Sequence, residues 1–305
     1  MIAVRGNMIA ALAMASILFG ACMHGIAQAN DFNLKRIVHR EKSIYRNILI
    51  AEGEKYRCMT FGRRASLQTC IQMDRPDLLV MSYPQGMLAG LIAKPDAERV
   101  LVIGLGGGML PMALRKIDPQ IHIDVVELDP SVVDVARSHF SFRKDAKLRT
   151  YVNDGRVFVR RQTRLGARYD IIFVDAFENN YIPEHMITQE YIRELRTALR
   201  PGGILAANTF TKGKLSRYEM ATYQSVFGEV RVVDLDGSNR ILLTGRDGLP
   251  SMATIRRNAR NLESKLSLVG VDTNKLLSEF KSQPKVLDVK PLTDQYSPAN
   301  LLLDY

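Results

Sequence analysis

Glycines and acids concentrated in one short stretch have the types and spacing that chemistry on a nucleoside requires. Val100–Ile103 reads as a buried strand running into Gly104-Leu105-Gly106-Gly107-Gly108, then an apolar helix, then a second strand ending in Glu127 and Asp129. Glycine admits left-handed backbone angles and lets a ligand approach bare amides, whose dipoles add at the following helix N-terminus. Glu127 lies about 20 positions beyond the turn, where an acid accepts hydrogen bonds from two ribose hydroxyls. No Gly-Lys-Ser/Thr follows the glycines, which argues against a triphosphate-gripping loop. A glycine turn alone serves any tight strand-to-helix connection. Strand, loop, helix, strand and acid together point to a nucleoside-bearing cofactor.

Further acids close the next two strands: Asp154-Gly155 the third and Asp175-Ala176-Phe177-Glu178 the fourth. Asp154 is placed either to accept from an exocyclic adenine amine or to cap the helix after Gly155, and one carboxylate can do both. Asp175 follows the apolar run Ile171-Ile172-Phe173-Val174. A partly buried carboxylate there can hold a cationic amine and accept its proton during attack. The plainer alternative is a turn residue ending a strand.

The elements that must bring these residues together alternate regularly. Strands are expected at Val100–Ile103, Ile121–Glu127, Leu148–Asn153, Asp170–Asp175 and Ile204–Asn208, with helices starting near Leu110, Pro130, Gly155 and Thr188. Another helix over Arg217–Phe227 precedes strands at Val230–Leu235 and Arg240–Thr244, joined through Asp236-Gly237-Ser238-Asn239. Five parallel-type units plus a terminal hairpin predict an α/β fold with a seven-stranded doubly wound sheet, which binds ligands at strand carboxyl ends. Upstream, Ser43–Ala51 and Tyr56–Phe61 flank a hairpin signal at Glu52-Gly53-Glu54, and Leu78–Ile92 reads as helical. Downstream, Ile255, Ala259, Leu262 and Leu266 share a helix face, a second helix is expected around Leu276, Leu277 and Phe280, and a proline-bearing tail follows. The resulting division is a leader over 1–29, a small β-rich domain over 30–95, the nucleotide-type domain over 96–248, and C-terminal helices with the tail over 249–305.

Composition narrows the function. The chain has 46% apolar residues and a formal net charge of +10. Its basic residues are scattered, with no compact run interleaved with aromatics, so a solvated basic surface is favoured over a nucleic-acid or membrane partner. Met8 to Ala29 carries no Asp, Glu, Lys or Arg and ends in Ala27-Gln28-Ala29, which reads as a secretory signal cleaved before Asn30. The stretch also suffices for a single membrane anchor, since ~20 residues span the hydrocarbon core. Lys35, Arg36, Arg40, Lys42 and Arg46 follow it, and that charge favours retaining this flank in the cytoplasm. Export to the periplasm or membrane anchoring is the expectation, with a cytoplasmic domain as the alternative. Cleavage would leave Cys58 and Cys70, either paired in an oxidising compartment or buried as free thiols. No His/Cys cluster has metal-binding spacing.

At VLVIGLGGG, VVELDP, NDG and DIIFVDAF the chain resembles the spermidine synthase (polyamine aminopropyltransferase) family, from about Lys55 to Gly245. It is most similar to a divergent branch that shares patterns like Ile182-Pro183-Glu184-His185-Met186-Ile187-Thr188 and Leu292-Thr293-Asp294-Gln295-Tyr296-Ser297-Pro298. The resemblance implies a class I methyltransferase-like domain joined to a small N-terminal β domain, often dimeric. It also implies aminopropyl transfer from decarboxylated S-adenosylmethionine to a small amine. On that basis Gly104, Gly106 and Gly108 form the cofactor turn, Glu127 holds the ribose, and Asp154 with Gly155 meets the adenine. Gln68 approaches the cofactor, Asp175 accepts the proton, and Glu178 and Tyr83 stand near the amine. Two departures follow: Gly107 stands where the family has an acid for the cofactor ammonium, and Pro84-Gln85 follow Tyr83 where the family has an acid for the polyamine. Loss of the first acid leaves less reason to reject intact S-adenosylmethionine, so methyl or aminocarboxypropyl transfer is the runner-up. A non-catalytic polyamine or nucleoside binder is the reading from outside enzymology. Asp175-Ala176-Phe177 is not the Asn/Asp-Pro-Pro-aromatic sequence of amino-methylating nucleic-acid enzymes.

Overall fold

The computed structural model describes residues 32–62, 67–176, 183–211, 213–235, 239–283, 285–286 and 288–302. The leader, Glu178 and most of the Asp236–Asn239 turn therefore lie outside the described residues. Among the described residues no helix is long and apolar enough to cross a membrane.

Strands β1 (Arg36–Lys42), β2 (Asn47–Glu52), β3 (Tyr56–Phe61) and β4 (Leu67–Gln72) form an antiparallel sheet in chain order. The expected hairpin is β2–β3, with Ala51 opposite Cys58. Residues 43–46 turn between β1 and β2 rather than extending β2, because the Ser43 hydroxyl accepts from the amides of Tyr45 and Arg46 and fixes a turn.

The second sheet contains β5 (Arg99–Ile103), β6 (His122–Glu127), β7 (Leu148–Val152), β8 (Tyr169–Val174), β9 (Leu199–Phe210), β10 (Arg231–Asp234), β11 (Asn239–Gly245) and β12 (Phe280–Ser282). Its order is β12-β10-β11-β9-β8-β5-β6-β7. Strands β7, β6, β5, β8 and β9 run parallel to their neighbours; β11, β10 and β12 are added antiparallel. The seven expected strands are all present, and β12 adds an eighth. Phe280, assigned to a helix from sequence, pairs with Val233 instead, and the helix stops at Ser278. Pairing there covers an edge of β10 that would otherwise expose unmade backbone hydrogen bonds. The preceding helix ends at Ala198, and Pro201-Gly202-Gly203 lies within β9, where the register jumps from Leu199 to Ile204.

Strand alternation sorts β5 between two cores. Val100 and Val102 pack on one face with the helices Met109–Ile117, Pro130–His139 and Met252–Ser267. Leu101 and Ile103 pack on the other with the helices Gly155–Arg164, Gln189–Ala198 and Leu215–Phe227. Ile48, Ile50 and Met59 of the first sheet join the first of these cores, so the small sheet is seated on the large one. The chain passes from β5 to β6 and β7 on one side, then returns to β8 on the other. This reversal opens a crevice at the carboxyl ends of β5 and β8, the place where such sheets bind ligands.

Candidate active site

The crevice is a cavity of about 610 Å³ walled by Gly104, Gly106, Glu127, Asp154, Gly155 and Asp175, together with Phe61 and Gln68 from the first sheet and Ile44, Tyr45 and Arg46 from its β1–β2 turn. Gly104 and Gly106 have φ of 94° and 52°. A Cβ on Gly104 would lie 2.0 Å from the Asp175 carbonyl oxygen, so this glycine lets the turns after β5 and β8 close against each other. Gly108 also has positive φ, but it does not line the cavity; a Cβ there would meet the Phe142 ring at 2.6 Å. Its part is to shape the turn.

Glu127 is buried and accepts from the Leu105 amide at 2.9 Å and from the Asp129 amide at 3.0 Å. Burial raises its pKa against the pull of those two amides and of Arg46. Each oxygen still has a lone pair for a ribose hydroxyl. Asp129 caps the helix Pro130–His139 and accepts from the Ser43 hydroxyl at 2.5 Å, tying the β1–β2 turn to the start of that helix.

Asp154 performs the capping role: one oxygen accepts from the Val157 amide at 2.9 Å. The other lies 2.9 Å from His185 Nε2, and both residues line the cavity. Gly155 is required for space, since a Cβ would lie 2.7 Å from Ile103 and 2.9 Å from Met186.

Asp175 ends the fully buried β8, and burial pushes its carboxyl up to about 6; Asn208 lowers it, the Glu127 charge raises it, and Tyr83 lowers it. Asn208 Nδ2 donates to Asp175 Oδ1 at 2.9 Å. The Tyr83 hydroxyl donates to the Gln68 carbonyl at 2.8 Å, and its pKa is raised by burial and then by the Asp175 charge. Structure thus brings Gly104, Gly106, Glu127, Asp154, Gly155, Asp175, Gln68 and Tyr83 to one place; Glu178 is outside the described residues. Sequence reasoning missed Asn208, His185 and the Ser43–Arg46 turn. Asn208 left a signal: it closes the apolar run Ile204–Ala207 in the strand beside β8, as Asp175 closes β8. Among the described residues no group of three His, Cys, Asp or Glu side chains is placed to hold a metal.

A half-buried carboxylate with a raised pKa lines the crevice beside the glycine turn, and comparison decides the family. The profile of the spermine/spermidine synthase domain matches residues 85–239. Over 279 residues the chain is 37% identical to a polyamine aminopropyltransferase of Vibrio vulnificus (strain CMCP6), covering 87% of this chain and 91% of that protein. The chain belongs to the spermine/spermidine synthase family. As a family member it is a spermidine-synthase-like alkyl transferase. A probable spermidine synthase from Corynebacterium glutamicum shares the fold, with a TM-score of 0.65 at 21% identity over 87% of this chain and 99% of that one. An eEF1A lysine and N-terminal methyltransferase of Xenopus laevis is 27% identical over 229 residues, 68% of this chain and 33% of that protein.

Proposed function

We propose that this synthase-family chain moves an aminopropyl or related alkyl group from an S-adenosylmethionine-type sulfonium to a small amine, with Asp175 as proton acceptor. The observation that carries this is the half-buried Asp175 carboxyl on the wall of the same cavity as Glu127 and the glycine turn, where desolvation pushes it up to about 6. In the transfer, the amine nitrogen attacks the carbon next to sulfur, the carbon–sulfur bond breaks, and its electron pair stays on sulfur. The thioether leaves neutral, and the nitrogen's proton passes to Asp175. The sulfonium supplies the activation, so the protein's contribution is alignment and keeping the nucleophile unprotonated.

A second reading, use of intact S-adenosylmethionine, is favoured by Gly107. A Cβ at this position would lie 2.5 Å from Thr69 Cγ2 and 3.1 Å from Phe140, so the backbone here leaves no room for the family's acid. Without that carboxylate the donor's own carboxylate meets less repulsion, and intact donor is expected to bind at least as well as decarboxylated donor. Incubating the purified chain with each donor and a set of diamines tests both readings. Methylthioadenosine from decarboxylated donor supports aminopropyl transfer. From intact donor it marks aminocarboxypropyl transfer, and S-adenosylhomocysteine marks methyl transfer. No product from any pairing would favour a polyamine or nucleoside binder.

Export is part of the proposal. It is supported by the charge-free Met8–Ala29 stretch and by the Cys58–Cys70 disulfide, a bond suited to an oxidising compartment. A mature N-terminus at Asn30 in the periplasmic fraction checks it; an uncleaved chain in the membrane fraction indicates the anchor. A homodimer, the family's habit, is checked by sedimentation.

A further inference from the structure

We propose that Asn208, oriented by Asn239, is a positioning residue that holds Oδ1 of Asp175 and keeps that carboxylate in its ionised form to accept the amine proton. The proposal rests on the reading of Asp175 as proton acceptor.

The hydrogen-bond chain has only one consistent direction. An ionised carboxylate accepts and cannot donate, so the Asn208 group facing Asp175 Oδ1 at 2.9 Å must be its amide nitrogen. The Asn208 carbonyl then turns away and accepts from Asn239 Nδ2 at 2.9 Å. Asn208 is buried, so a flipped amide has no water to compensate it. Asn239 sits on β11, and Asn208 on β9 beside β8. The three residues thus form a row across adjacent strands, ending at the reacting carboxylate.

The donor favours the ionised form, opposing burial and the negative charge of Glu127 at the end of β6. The other ionisable neighbour is Tyr83, on the helix Ser82–Met87, whose hydroxyl also favours the ionised form, while Asp154, His185 and Arg46 stand elsewhere on the cavity wall. Asn208 therefore keeps Asp175 ready as a base at a pH where amines still need deprotonating.

The test is a pH titration of the Asp175 carboxyl by ¹³C NMR, the signal being assigned by its loss in Asp175→Asn, paired with the pH profile of kcat/KM for the amine. Asn208→Ala is expected to move the Asp175 midpoint and the acid limb upward by about one pH unit. Methylthioadenosine affinity should stay unchanged. Asn239→Ala touches neither Asp175 nor the cavity wall; by freeing the Asn208 amide to flip it should shift the midpoint in the same direction by less. A midpoint unmoved in both folded variants overturns the proposal. If Asn208→Ala fails to fold, Asn239→Ala decides alone. The NMR arm reads Asp175 directly, so it distinguishes failure of this inference from failure of the reading of Asp175 as proton acceptor, which would appear as full turnover in Asp175→Asn.

Discussion

A half-buried carboxylate after a strand with no exposed residue loses hydration, and at Asp175 that loss is only partly offset by the Asn208 amide and Tyr83. The raised value of about 6 sets the pH dependence. Asp175 works as a base only when ionised, so turnover is expected to fall as pH drops through about 6, read as the acid limb of kcat/KM. Asp175→Asn should retain cofactor binding by calorimetry while turnover falls at least the ~10²-fold typical of losing a general base. Near-normal turnover would refute the role. Glu127→Ala has two expected effects. Nucleoside affinity should weaken by roughly 1.5–3 kcal/mol, the worth of hydrogen bonds to a charged group. Because Glu127 also accepts from the Leu105 and Asp129 amides, the variant should melt earlier as well, so calorimetry belongs well below its Tm.

Between elements, close contacts determine what the glycine turn and the cavity wall tolerate. Gly107→Ala is expected to cost about 1–3 kcal/mol, because its Cβ collides with Thr69 on β4. Thr69→Ala should relieve part of that cost, and a double-mutant cycle by denaturant unfolding measures the coupling. One part of the cavity wall depends on the tail. Asp294 accepts from Arg156 at 2.6 and 2.7 Å and from the Thr188 hydroxyl at 2.7 Å, and Ser297 donates to the Glu184 carbonyl at 3.0 Å. These bonds hold the segment carrying Pro183, His185 and Met186 against the cavity. Asp294→Asn is expected to cost about 1–2 kcal/mol of stability, the upper range being excluded by its exposure to water. It should also weaken methylthioadenosine binding several-fold. Unchanged affinity would show that the segment needs no tail.

For the molecule as a whole, the Cys58–Cys70 bridge joins directly opposed positions of β3 and β4 and closes a short loop. Reduction is expected to cost roughly 2–4 kcal/mol, read as a lower Tm with reductant than without. An unchanged Tm after verified reduction would show that the sheet's seat on the shared core suffices. The sequence by itself determined the alternation of strands and helices, because periodicity and glycine turns are local consequences of which residues can be buried and which angles they allow. It also placed Glu127, Asp154 and Asp175 at strand ends, since a charge after an apolar run marks where burial stops. Other features required the tertiary structure. The pairing of Cys58 with Cys70, the eighth strand at Phe280, and the reach of the Ser43–Arg46 turn to Asp129 depend on register and on which edge lies open. Asn208 became part of the site only because β9 lies beside β8, a neighbour relation set by packing both faces of the sheet rather than by any spacing along the chain.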